Sequence, residues 1–98
     1  MDTKRGRLEL KGGDIGQDWQ TCYLILDGSK LLWHKIVDGK TVVGITKLLA
    51  TSSVSTCPPL HLKISIDQDT TLHIRTRFAD KCALWAIAIS DAIAMIPR

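Results

Sequence analysis

Apolar and polar positions alternate along most of the chain and change period near its C-terminal end. Leu8 and Leu10 alternate with Arg7, Glu9 and Lys11, which predicts a half-buried first strand that stops at Gly12-Gly13. Trp19 to Leu26 reads as a second strand closed by Asp27-Gly28, and Lys30 to Val37 as a third closed by Asp38-Gly39. Each Asp-Gly pair is a strong turn signal. Thr41 to Leu49 gives a fourth strand and Ser52 to Cys57 a short polar fifth, ended by Pro58-Pro59, whose missing N–H groups cannot extend a ladder. Leu60, Leu62, Ile64 and Ile66 then alternate with His61, Lys63 and Ser65. Across Asp67-Gln68-Asp69, Leu72 and Ile74 alternate with His73, Arg75 and Arg77. Seven strands are expected between about residues 4 and 77.

From Asp80 to about Ile96 the spacing is helical, with Pro97 just past the end. At roughly 100° per residue, Cys82, Trp85, Ile89, Ala92, Ile93 and Ile96 share a face that must cover a core. The opposite face is short of charge, since the polar side chains from Lys81 to Ile96 are Lys81, Ser90 and Asp91. Ile87 points almost opposite the core stripe, flanked by Ala83, Leu84 and Ala94, with Met95 to one side. The small side chains of Ala83, Ser90 and Ala94 would let another backbone approach closely. This face is expected to pack on a protein partner, a neighbouring domain or a second copy. The plainer alternative is a scatter of exposed apolar residues.

Composition narrows the picture. A chain of 98 residues supports one core, so residues 1–98 are read as a single domain. With 45% hydrophobic and 23% charged residues, disorder and fibrous repeats are excluded. A net charge of +3 is too small an excess for a dedicated duplex-DNA binder, and no nucleic acid is expected. Cys22, Cys57 and Cys82 are odd in number and form no C-x-x-C pair, which argues against a disulfide framework or a zinc knuckle. The N-terminal segment has no apolar signal region, and the apolar stretch Cys82 to Ile96 is shorter than a membrane span. A cytoplasmic location is expected, free or peripheral to a membrane or the cytoskeleton. No nucleophile turn, H-E-x-x-H or phosphate loop is present, so no catalysis, cofactor, metal or small-molecule substrate is expected.

Several local motifs resemble the pleckstrin homology (PH) domain along nearly the whole chain. Gly6-Arg7-Leu8 resembles its opening G-x-L, Trp19 with Tyr23-Leu24-Ile25-Leu26 its second strand, Lys30-Leu31-Leu32-Trp33 its third, and Trp85 its helix tryptophan. The resemblance implies a mainly β fold of seven strands, two nearly orthogonal antiparallel sheets forming a barrel or sandwich, capped by the C-terminal helix. A phosphotyrosine-binding-type domain is the structural alternative. In phosphoinositide-binding members, cations on the first two strands point into the open mouth. The matching positions here are Leu10, Gln20 and Cys22, none of them cationic. By strand parity this mouth is expected to be apolar with one neutral amide, and the following loop adds Asp14 and Asp18. The usual inositol phosphate site is therefore expected to be degenerate.

Two outward basic groups remain as candidates. Lys4, Arg5, Arg7 and Lys11 are read on or just before the first strand's outer side, suited to weak contact with an anionic membrane at ~1 kcal/mol per cation. His61, Lys63, His73, Arg75 and Arg77 are read on one outward surface of the sixth and seventh strands. That surface suits an acidic partner, or else serves to discourage edge pairing. Trp19 reads as a structural anchor. The leading expectation is a non-catalytic module for protein interaction or self-association; the alternative is peripheral membrane or phosphoinositide binding through the outward cations.

Overall fold

The computed structural model describes residues 4–57 and 60–97. The strands are β1 (Lys4–Gly12), β2 (Gly16–Asp27), β3 (Lys30–Val37), β4 (Lys40–Lys47), β5 (Ser53–Cys57), β6 (His61–Ser65) and β7 (Thr71–Arg75), followed by α1 (Ala79–Ala94). A 3₁₀ turn, Gly13–Ile15, joins β1 to β2. Every neighbouring pair is antiparallel, in the order β4-β3-β2-β1-β7-β6-β5. β1 joins the two halves of the barrel. It pairs with β2 along its whole length but with β7 only at Glu9, Leu10 and Lys11.

The alternation read from the sequence becomes the core. Leu8 and Leu10 of β1, Cys22, Leu24 and Leu26 of β2, and Leu62, Ile64, Leu72 and Ile74 of β6 and β7 are all buried. α1 packs on β5 and β6 and inserts Cys82, Trp85 and Ile89 among them, with Ala92, Ile93 and Ile96 partly buried against the same core. Ala86 is also buried, so the stripe is wider than expected by one small residue. The helix begins at Ala79, with Phe78 in the capping position and Asp80 in its first turn. Its regular part ends at Ala94, two residues early, but the Ile96 N–H still donates to the Ile93 carbonyl at 3.1 Å.

Close approaches explain two glycines. Gly12 adopts φ 104°, and a Cβ there would overlap the Thr71 carbonyl oxygen. Gly44 of β4 lies across the buried Trp33 of β3, and a Cβ there would overlap the indole. Trp33 is therefore core. Among the described residues no helix is long and apolar enough to cross a membrane.

Candidate functional site

At the open mouth, Leu10 pairs with Gln20 and Leu8 with Cys22, with their side chains on the inner face. Leu10 and Cys22 are buried and Gln20 is half-buried. Burial pushes the Cys22 thiol above its ordinary pKa, so it stays protonated. The mouth is not free of charge, however. Lys35 shares the inward parity of Leu31 and Trp33, lies 5.7 Å over the Trp33 ring, and donates to the Ile15 carbonyl at 2.9 Å. Its ammonium is already engaged by the backbone of the β1–β2 connection.

The outward cations divide differently from the sequence reading. Arg5 and Arg7 are exposed, as expected. Lys4 instead follows the inward parity of Gly6 and Leu8, with its ammonium 5.1 Å over the Trp85 ring at the helix-capped end. Arg77 does not join the β6–β7 surface, because β7 ends at Arg75. β6 and β7 are interior strands and the edges are β4 and β5, so the charges on β6 and β7 do not guard an edge.

The remaining cations form one surface across four strands. Glu9 pairs with Arg75, Arg75 with His61, and His61 with Cys57; one row along, Lys11 pairs with His73 and His73 with Lys63. The Lys11 group and the His61 group, read apart in the sequence, therefore share a face. Trp19 stands at its centre, half-buried, with the Arg75 guanidinium 4.4 Å and the Lys11 ammonium 4.8 Å from its ring. It meets the His61 ring edge-on at 5.4 Å and the His73 ring at 6.4 Å. Trp19 anchors an outer cluster, not the core.

His61 Nε2 and His73 Nδ1 lie 2.9 Å apart, so one ring donates to the other. Burial, then neighbouring cations, holds both rings below the ordinary histidine pKa. Arg75 grips Glu9 with two bonds, Nη2 to Oε2 at 2.8 Å and Nε to Oε1 at 3.1 Å, which lowers the carboxyl's pKa. Among the described residues no three His, Cys, Asp or Glu side chains converge as metal ligands.

A second basic site lies between the N-terminal half of β1 and the first turns of α1. It is a groove of about 740 Å³ in which Lys4, Arg5, Arg7, Arg77 and Lys81 meet the exposed Phe78. The expected helix face is open: Ala83, Leu84, Ser90, Asp91 and Ala94 are exposed, with Ile87 at 59% and Met95 at 83%. Sequence reasoning missed another apolar patch on the outer face of β3 and β4, where Ile36, Val43 and Ile45 are 55% to 76% exposed. The outward parity of Ile36 beside His34 was the available signal.

The sequence matches no family model and no curated protein. The structure is similar to the solution structure of the N-terminal PH domain of the human ARAP2 protein. The TM-score is 0.72, with 98% of this chain and 85% of that chain covered, at 17% sequence identity. The chain has the fold of a PH domain.

Proposed function

We propose that the chain is a non-catalytic binding module that docks a protein partner through cations outside the barrel, in place of an inositol phosphate in the mouth. One observation carries this reading. The mouth is lined by the buried Leu10 and Cys22 and the neutral Gln20, with Lys35 alone as a cation among the described residues and bonded to the Ile15 carbonyl, whereas Lys11 and the Glu9-paired Arg75 flank Trp19 on the outer face, with Lys63 beside His73 one strand on. Phosphate groups need several convergent donors, and the mouth does not supply them. A tryptophan ring between cations suits a protein interface with carboxylates at its rim.

The test is titration with soluble inositol polyphosphates beside co-sedimentation with vesicles. Weak, non-saturating binding to the headgroups is expected. Sub-micromolar affinity abolished by charge changes in the mouth would overturn the reading. A second reading is peripheral contact with an anionic bilayer through Arg5, Arg7 and Lys11. It is favoured by the half-exposed Trp19 beside Lys11, since such rings partition to interfaces. It requires salt-sensitive binding to phosphatidylserine vesicles.

A further inference from the structure

The N-terminal half of β1 has an open edge. β2 covers one side of the strand from Lys4↔Leu26 to Gly12↔Gly16, but β7 covers the other side only at Glu9, Leu10 and Lys11. Past Arg75 the chain leaves the ladder. The Thr76 N–H donates to the Leu60 carbonyl at 2.9 Å, and its hydroxyl donates to the Phe78 carbonyl at 2.8 Å, turning the backbone into α1 where it would otherwise have run beside Arg7. Among the described residues, Lys4 to Leu8 therefore have no strand partner on that side. The basic groove opens along this edge: six consecutive β1 residues, Lys4 to Glu9, form one wall, and Phe78, Lys81 and Trp85 stand opposite.

The walls differ in chemistry. Arg5 and Arg7 project to the outer side of β1, while the 59%-exposed Phe78 offers apolar surface toward the helix and the buried Trp85 forms the floor beneath Lys4. The lining carboxylate, Glu9, is already held by Arg75. Backbone donors and acceptors on an open edge are satisfied by water or by an added strand, and added strands are read by alternate side chains.

We propose that this groove takes an extended acidic segment of a protein partner, added to β1 as a short strand. Alternate carboxylates meet Arg5 and Arg7, and the aliphatic side chains between them pack toward the exposed Phe78. The free edge is roughly 16 Å long at ~3.3 Å per residue, enough for about five residues of the partner. A bilayer presents no ladder of N–H and C=O groups to a strand edge, so the open backbone favours a peptide. The proposal rests on the protein-docking reading and supplies the form of the partner's bound segment.

The probe is a short acetylated, amidated peptide of alternating glutamate and valine, added to the whole chain and followed by NMR and amide hydrogen exchange. Slowed exchange at alternate amides from Lys4 to Leu8 is expected. R5E/R7E should weaken binding by about tenfold or more, with R5Q/R7Q as a milder variant. The same peptide N-methylated at alternate residues keeps its charge and should lose a similar factor. Equal binding of the N-methylated peptide, or binding without protection of β1, would overturn the proposal by reducing the groove to an electrostatic attractor. So would saturable binding to phosphatidylserine vesicles, lost in R5E/R7E, with no peptide binding. A partner that tolerates R5E/R7E but is lost on K11E/K63E would refute this groove while leaving the docking reading intact.

Discussion

The His61–His73 pair couples the outer face to pH. Both rings have folded pKa values below the ordinary 6.5, first through burial; Lys11 and Arg75 add to it at His61, and His61, Lys11 and Lys63 at His73. For a base held low in the folded state, the unfolded chain binds protons first as pH falls. Stability is then lost from about pH 6.5 downward until the folded values are passed. The thermal midpoint should therefore fall on acidification through that window, and H61Q/H73Q should flatten the slope. An unchanged slope in the double variant would remove the pair as its cause. Glu9 adds a separate loss at lower pH, because its depressed carboxyl pKa stabilises the fold only while the group is ionised. The degenerate positions Leu10, Gln20 and Cys22 were legible from parity; Lys35 was overlooked, although it shares the parity of Leu31 and Trp33. Lys4 was less legible, because its ammonium settles on Trp85, a residue 81 positions away.

Among the elements, the β3–β4 hairpin depends on close contact. Trp33 fills the space above Gly44, so G44A should destabilise the fold by about 1–3 kcal/mol through overpacking, measured by denaturant unfolding. A neutral result would mean that the indole relocates freely. α1 offers the opposite case. Ile87 is exposed, so I87E should leave stability within about 0.5 kcal/mol while abolishing any self-association seen by light scattering. Association that survives the change would remove this face as its cause. The strand and helix periods were legible because each element buries one face, and the Asp-Gly and Gly-Gly turns marked their ends. The extent of pairing was not. That β7 leaves β1 after Glu9 depends on where Thr76 finds its acceptor, and the Leu60 carbonyl lies in a different strand connection.

At the scale of the molecule, the +3 charge is an arrangement more than a total. One cation sits tied in the mouth, one group surrounds Trp19, and another lines the groove beside α1. Partner binding through either outer site should weaken steadily with salt, since exposed charges are screened beyond about 8–10 Å at physiological ionic strength. Salt-independent affinity would point instead to the apolar helix face. The three indoles are also unequal. Trp33 and Trp85 are buried in the core, while Trp19 alone stands half-open between two cations and two imidazoles. The chain consequently carries an intrinsic optical reporter. Iodide, drawn by Lys11 and Arg75, should quench Trp19 emission selectively, and imidazolium formation on His61 should dim the same component, so both occupancy and protonation of the outer face become visible without a label.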